Sequence, residues 1–359
     1  MLLSQFDASS RRIVEAVLRH GPLSRADMVE RLGLSSGSLT RLTGPLLAAG
    51  ILREGEPRAA AIGRPRQPLE VVDDAARFLG VKVVSGRIYA TLVGLAGVVH
   101  AAAEAPADTG SAESTADAIA ALLERHSPEW APEAVGVSLA AAVDAEGNAR
   151  AAGFLGWEGG NIVRAVEASA GLSCAAIKDV DALTLAEHWF GHGRGTRDFV
   201  VLTVGEGVGS GAVVDDTLLG GHLGFAALLG RAWLSDGRNA GEALSTAPLL
   251  ARAGAAAGRT LDAADLLADD PAVGAVLDDA ADALGELVAL AMIAYGPERV
   301  LIAGEGVSPF VAREAAIRRG IVRHAYEGDR LPELALGEDL DFFDWARGGA
   351  ALAIRHVLR

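Results

Sequence analysis

Apolar residues recur at helical spacing through the start of the chain, in segments separated by glycine. The pattern predicts amphipathic helices at 11–20 and 24–32, and a third that begins at Ser35. Ser24, followed three residues later by Asp27, is a capping signature for the second of these helices. Taken alone, the last two helices fit either an ordinary helical hairpin or a helix-turn-helix.

Short β-rich runs at 51–53 and 69–72 flank a segment rich in glycine, proline and arginine. Three helices followed by such a hairpin predict a winged helix-turn-helix over residues 1–72, although the proline-rich segment alone would fit a linker. Gly44 and Pro45 fall inside the third helix. Because proline lacks the backbone N–H and clashes with the preceding turn, we expect the helix to kink or end just before them.

Beyond residue 72, β-rich runs alternate with helical segments, which predicts an α/β body. A strand, a glycine turn and a second strand occur near residue 85 and again near 205, which indicates an internal duplication. The predicted strands are 78–84, 87–95, 97–101, 134–139, 175–177, 199–204, 212–214 and 299–303. The predicted helices are 111–126, 163–171, 182–190, several within 240–295, and 344–358.

The chain has 359 residues, which is enough for two or three domains. No apolar run is long and free enough of charge to cross a bilayer, and Asp7, Arg11 and Arg12 interrupt any signal peptide. We therefore expect a cytoplasmic protein without a membrane partner. Cys174 is the only cysteine, which excludes intrachain disulfides and a thiolate-rich zinc site.

Charge is distributed unevenly along the chain. The net charge is −15, yet residues 1–70 contain ten arginines and seven acidic residues. A basic head on an acidic body is the distribution expected when only the head meets phosphate, although a surplus of this size also arises by chance. Short polar side chains and arginines in the second helix of the motif and in the wing suit base edges and phosphates. The candidate DNA-binding residues are Ser35, Ser36, Ser38, Thr40, Arg41, Arg64 and Arg66.

Several segments resemble the ROK family of repressors and sugar kinases, in matching order and spacing over nearly the whole chain. The matching segments are GRP at 63–65, GWEG at 156–159, KDVDALTLAEHWFG at 178–191, GRGTRDFVVLTVGEGVGSG at 193–211, LLGGHLGFAALLGR at 218–231 and PERVLIAGEGV at 297–307.

The resemblance implies a winged helix-turn-helix followed by a two-lobed actin-like ATPase (ribonuclease H-like) fold. The implied domains are 1–72, a first lobe at 73–190 with the C-terminal helix 344–359, and a second, oligomerising lobe at 191–343. It also implies homodimers or homotetramers and a cleft for a sugar or another effector.

Residues that the family uses for catalysis are replaced in the first lobe. Lys82 stands where sugar kinases carry an aspartate that orients phosphate and metal, and lysine does not ligate Mg²⁺. Asp179 matches the family's catalytic base, but Lys178 replaces the asparagine before it. Leu228 replaces the glutamate that binds the sugar.

The zinc site and the phosphate loop also depart from the family pattern. Arg231 replaces a zinc-binding histidine, and the cysteine cluster is absent from 235–245, where Glu242 is a possible remnant. The glycine-rich loop carries Glu206, whose carboxylate would repel a nucleotide phosphate. We therefore expect no enzymatic activity, no metal and no cofactor, with Asp179 as a vestige of the catalytic site.

The chain contains two lysines, and both fall at the ancestral catalytic site. One hypothesis is that Lys82 or Lys178 pairs with Asp179 and makes the cleft inert; the other is that the lysines bind an anionic effector. The candidate effector-binding residues are Lys82, Trp157, Glu158, Lys178, Asp179, His222, Arg231 and Glu242.

Three functions follow from these observations. The first is a DNA-binding transcriptional regulator, expected to be a repressor, whose operator partner is double-stranded DNA and whose body binds a carbohydrate or anionic effector. The second is a carbohydrate kinase with a regulatory DNA-binding head. The third is a body that only oligomerises and binds no effector.

Overall fold

The computed structural model describes residues 2–57, 67–150, 153–325, 328, 330–337 and 340–359. These residues form two compact units: residues 1–195 together with 342–359, and residues 196–341. The head and the first lobe thus belong to one unit, and the second lobe forms the other.

The head contains three helices and short antiparallel strands within its described residues. The helices are α1 (Ala8–His20), α2 (Arg25–Leu32) and α3 (Ser36–Ala48). The strands are β1 (Leu23–Ser24), β2 (Leu52–Glu54) and β3 (Pro68–Val71), in the order β1-β3-β2. The predicted capping box is present, since the Asp27 amide donates to the Ser24 hydroxyl and the Ser24 amide donates to the Asp27 carboxylate.

The first lobe is built on a mixed sheet in the order β10-β7-β4-β5-β6. Its strands are β4 (Arg77–Val84), β5 (Arg87–Gly94), β6 (Val99–Pro106), β7 (Ala134–Leu139), β8 (Ala142–Val143), β9 (Ala149–Arg150) and β10 (Ser173–Lys178). Its helices are α4 (Ala112–Arg125), α5 (Ile162–Ala170) and α6 (Asp179–Phe190).

The second lobe repeats this arrangement with the strand order β13-β12-β11-β14-β15. The strands are β11 (Phe199–Val204), β12 (Val208–Val214), β13 (Thr217–Leu218), β14 (Arg299–Ala303) and β15 (Glu333–Leu336). The helices are α7 (Ala240–Leu244), α8 (Thr246–Ala257), α9 (Pro271–Tyr295), α10 (Ser308–Val311) and α11 (Glu314–His324). In both sheets an antiparallel meander continues into parallel strands, as the suspected duplication predicts.

The C-terminal helix α12 (Phe342–Leu358) returns to the first lobe and packs directly on its sheet. A Cβ atom built on Gly80 would lie 1.9 Å from the Ala346 carbonyl oxygen, and one on Gly136 would lie 1.9 Å from that of Gly349. Only glycine permits so close a contact between strand and helix backbones. The glycines of β4 and β7 therefore allow α12 to pack directly against the two strands.

Helix α1 of the head contacts α6 and α12 of the first lobe. The Arg11 guanidinium donates to the backbone carbonyl of Arg359 at 3.2 Å, and the Leu2 amide donates to Glu133 Oε1 at 2.8 Å. The apolar residues of α1 are buried, and the helix also contacts α2 and α3, so it joins the head to the lobe.

Within the described residues, no helix is both long enough and apolar enough to cross a membrane.

Candidate nucleic-acid interface and ancestral ligand site

Helix α3 has one buried and one exposed side. Leu39, Leu42, Thr43 and Leu46 are buried and hold the helix against the head. Residues at the spacing of successive turns form the exposed side: Ser36, Gly37, Thr40, Arg41, Gly44, Pro45 and Ala48. This side is small, polar and carries one positive charge, as a major groove requires.

The candidate base-reading residues differ in exposure and in hydrogen bonding. Ser36, Thr40 and Arg41 are exposed, whereas Ser38 is half-buried. Ser35 is the N-cap of α3: its hydroxyl accepts from the Ser38 amide at 3.2 Å. Ser35 therefore begins the helix, and the other four side chains follow it along the first two turns.

Of the two alternatives predicted for α3, an end just before Gly44 and Pro45 is wrong. The helix runs from Ser36 to Ala48 with Pro45 inside it. Pro45 supplies no amide to the Arg41 carbonyl four residues before it, and Arg41, Gly44 and Pro45 are all exposed. The buried leucines on the other side continue past the proline and stabilise the helix beyond it.

The wing is formed by β2 and β3, close to where the β-rich runs predicted it. Two arginines of the head are already paired with acidic residues: Arg53 Nη2 lies 3.1 Å from Glu70 Oε2, and Arg25 Nη2 lies 3.3 Å from Glu54 Oε1. Arg64 and Arg66, predicted at the wing tip, lie outside the described residues, and their role stays a prediction.

The ancestral catalytic position of the first lobe is closed by an ion pair. Lys82 on β4 is 4% exposed, and its ammonium donates to Asp179 Oδ2 at the start of α6. The same Lys82 Nζ lies 5.1 Å from the centre of the Trp345 ring on α12, within cation–π range. Asp179 Oδ1 also accepts from the Val180 amide at 2.8 Å. Both oxygens of the vestigial base are thus engaged within the lobe.

The second lysine has a different partner. Lys178 Nζ lies 3.2 Å from Asp181 Oδ1, one turn along α6, and both side chains are buried. Burial raises the pKa of Asp181 to about 7, against the opposing attraction of Lys178. Arg355 on α12 also acts on this carboxylate, and burial lowers the pKa of its guanidinium to about 10. The spacing of three residues between Lys178 and Asp181 was a signal for this pair that the sequence analysis missed.

Trp157 and Glu158 line a cavity of about 430 Å³ in the first lobe. Trp157 is buried, and its indole N–H donates to the Thr109 carbonyl at 2.6 Å, which fixes it as part of the wall. Arg150 also lines the cavity, and its Nη2 lies 3.2 Å from Oδ2 of the buried Asp144. Glu158 is exposed. The remaining lining residues are Asn148, Ala149, Gly159 and Gly160.

The candidate residues of the second lobe are exposed. His222 and Arg231 lie on its surface, and Glu242 caps α7 by accepting from the Asn239 amide at 3.3 Å. In the segment where the resemblance would place zinc, Glu286 holds the chain instead: it accepts from the Ser235 amide at 2.7 Å and from the Ser235 hydroxyl at 2.9 Å.

The glycine-rich loop after β11 is also held by a carboxylate. The Glu206 amide donates to Glu305 Oε1 at 2.7 Å, and the Gly205 carbonyl accepts from the Thr246 amide at 2.8 Å. One amide of the loop is thereby engaged by an acidic side chain of the same lobe. Glu206 and Glu305 both carry negative charge at this loop, and sequence reasoning had identified only the first.

A winged-helix head joined to two similar α/β lobes defines a class of protein that combines a nucleic-acid-binding fold with an actin-like body. Residues 78–354 match the model of the ROK family, and the chain belongs to that family. The DNA-binding transcriptional dual regulator NagC of Escherichia coli K12 is 24% identical over 230 residues, which are 62% of this chain and 56% of NagC. The chain thus spans little more than half the length of that relative.

Solved structures show the same fold. The crystal structure of a ROK family transcriptional regulator, a homolog of the E. coli MLC protein, aligns with a TM-score of 0.79 at 20% identity, over 100% of this chain and 97% of that one. A ROK family glucokinase from Streptomyces griseus, in complex with glucose and AMPPNP, aligns with a TM-score of 0.66 at 22% identity, over 78% of this chain and 99% of the glucokinase. The alignment with the regulator therefore includes the head as well as the body.

Proposed function

We propose that this protein is a DNA-binding transcriptional regulator whose kinase-like body has no catalytic activity. The observation that carries the proposal is the exposed side of α3, which presents Ser36, Thr40 and Arg41 from a winged helix-turn-helix head. The named regulator among its relatives and the full-length similarity to a ROK regulator support it. Repression of transcription from a cytoplasmic homodimer bound to a pseudo-palindromic operator is the form we expect.

The contacts of the first lobe argue against the sugar-kinase alternative. A catalytic base must be free to accept a proton from the substrate hydroxyl, but both oxygens of Asp179 accept hydrogen bonds within the lobe. Lys82 is a buried cation where the family resemblance places a metal-orienting carboxylate. A lysine there repels Mg²⁺ rather than binding it. The first lobe thus supports an inert ion pair over a catalytic site.

The second lobe contributes an independent argument. Glu206 and Glu305 place two carboxylates at the loop that would have to receive a nucleotide phosphate. Negative charge at this loop disfavours phosphate binding. Glu286, Ser235 and the capped α7 provide hydrogen bonds in the segment where zinc would otherwise hold the chain.

For the effector we propose only a chemical class. A carbohydrate or another small polar molecule fits the polar cavity beside Trp157 and Glu158 better than an anion does. Arg150 is partly neutralised there by Asp144, and Glu158 adds a negative charge. The two buried lysines are each paired with a carboxylate, which leaves them less suited to recruit an anion.

The test is selection of bound duplexes from a randomised DNA library with the full chain. We expect an enriched pseudo-palindrome whose affinity falls steeply with salt. Failure to enrich any sequence would refute the regulator. Transfer of phosphate from ATP to a hexose by the purified chain, lost in Asp179→Asn, would establish the kinase instead.

A further inference from the structure

The hydrogen-bond donors on the exposed side of α3 are not equally available. The Ser35 hydroxyl donates to Ser38 Oγ at 3.0 Å, and the Thr40 hydroxyl donates to the Ser36 carbonyl at 3.0 Å. The hydroxyl protons of Ser35 and Thr40, which could otherwise donate to a base, are therefore already engaged in hydrogen bonds within the head. A base contact by either group would first have to break that bond.

Arg41 lies on the same side of α3 and differs from these residues in being charged. It is exposed, and it is the one charged residue in the sequence from Ser35 to Ala48. Hydrogen bonding from Ser10 is the main reason that the pKa of Asp7 lies below its usual value, and the charge of Arg41 lowers it further. The guanidinium therefore acts electrostatically on the N-cap residue of α1. Its planar set of donors matches the O6 and N7 acceptors of guanine.

The residues beside Arg41 leave room for close approach. Gly37 and Gly44 lie one turn before and one turn after it on the exposed side, and a Cβ atom built on either would have nothing within 4 Å. Glycine is disfavoured in a helix interior relative to alanine, so the packing of the head gives no reason for Gly44. Close approach of a DNA duplex to the helix backbone at this point would explain why the residue is glycine.

We propose that Arg41 is the residue that determines operator specificity, by reading one guanine in each half-site, while Gly44 permits the duplex to come close enough for that contact. The inference rests on the proposed function and adds to it the residue and the base that carry recognition. Ser36, Ser38 and Thr40 then contribute fit and phosphate contacts rather than base discrimination.

The experiment measures the affinity of full-length protein for duplexes in which each guanine of the selected sequence is replaced in turn by 7-deazaguanine, which lacks the N7 acceptor. For the unaltered chain, we expect a loss of roughly 10- to 100-fold at one position in each half-site. For Arg41→Ala, the same replacement should have no effect at that position. Arg41→Lys keeps the charge but not the paired donors, so it should retain salt dependence and lose most of the guanine preference.

Gly44→Ala tests the approach of the duplex separately from folding. Alanine should raise the melting temperature, by about 2 °C or more, because it favours the helix, and should nevertheless weaken operator binding. The control is Gly274→Ala in α9, where a Cβ would have only ordinary contact at 3.9 Å. That variant should not change DNA affinity.

The outcomes separate the two proposals. If the unaltered chain selects no DNA sequence, the proposed function fails. If it selects a sequence but Arg41→Ala keeps the same base preferences, or shows the same response to 7-deazaguanine, the inference about Arg41 is wrong. Unchanged operator affinity in Gly44→Ala would refute the role of that glycine.

Discussion

The buried carboxylate of Asp181 should make the stability of the first unit depend on pH in an unusual direction. Asp181 is 1% exposed, and burial raises its pKa to about 7, compared with an ordinary value of 3.8. Between these two values the folded chain retains a proton that the unfolded chain has released. The free energy of unfolding therefore falls as the pH rises through this range, and this contribution is constant again above pH 7.

The difference between these two pKa values corresponds to about 4 kcal/mol at 25 °C. Asp181→Asn removes the ionisation and leaves a side chain of similar shape. The variant places a neutral amide beside the buried Lys178, which below about pH 7 already lies beside a neutral carboxyl in the unaltered chain. The change with pH, rather than the absolute stability, therefore isolates the titration of Asp181.

The assay is urea unfolding of both proteins at a series of pH values from about 4.5 to about 8, which spans most of the range over which the carboxyl titrates. Relative to the unaltered chain, Asp181→Asn should gain about 3 kcal/mol across this series as the pH rises, because the series begins above the ordinary pKa of 3.8. Asp236→Asn is the control. A hydrogen bond from Arg238 lowers the pKa of Asp236 from its ordinary value of 3.8, so its contribution to stability is already complete at the lowest pH of the series. That variant should therefore differ from the unaltered chain by a nearly constant amount. Parallel stability curves for Asp181→Asn and the unaltered chain would refute the reasoning.

Further expectations concern the contacts that shape the lobes. Lys82→Met leaves Asp179 without its ammonium partner and should cost about 3 kcal/mol in urea unfolding, while adding Asp179→Leu should recover most of the loss; equal stability of the single and double variants would contradict this. Glu286→Gln weakens the hydrogen bonds that hold the segment replacing the zinc cluster and should cost about 1–3 kcal/mol, seen as a lower melting temperature; an unchanged value would show that the segment does not depend on it. Gly80→Ala drives a methyl group into the Ala346 carbonyl and should abolish the folded first unit, as measured by circular dichroism; a native melting curve would refute that close contact.

The strands that the sequence predicts best are continuous apolar runs between turn residues. The segments at 134–139, 199–204 and 299–303 have the same bounds in the structure. Such runs are buried on both faces of a parallel sheet, so little else competes with that assignment. By contrast, β6 was predicted at 97–101 and lies at Val99–Pro106, because its alternating small residues give a weak signal.

Long-range polar contacts were beyond sequence reasoning. The Glu206 amide and Glu305 are 99 residues apart, and Ser235 and Glu286 are 51 residues apart. Nothing in the local pattern selects one acidic partner among many. The pairing of Lys82 with Asp179 was one of two open hypotheses, and it could be framed only because a family resemblance placed both residues at one site.

The placement of α6 and α12 bears on whether the body is a sensor or merely an oligomerisation module. These two helices carry Asp179 and Trp345, the partners of Lys82, and they also contact α1 of the head. A ligand that shifts either helix should therefore also shift α1. Binding of that ligand should then be coupled to operator binding. A carbohydrate that binds the protein should raise its melting temperature. If that carbohydrate changes the affinity of the protein for its operator by some factor, the operator must change the affinity of the protein for the carbohydrate by the same factor. Calorimetric titration with and without operator measures this factor, and the control is titration in the presence of a duplex of unrelated sequence, which should leave carbohydrate affinity unchanged. Equal carbohydrate affinity in the presence and absence of operator would mean that the head and the body act independently.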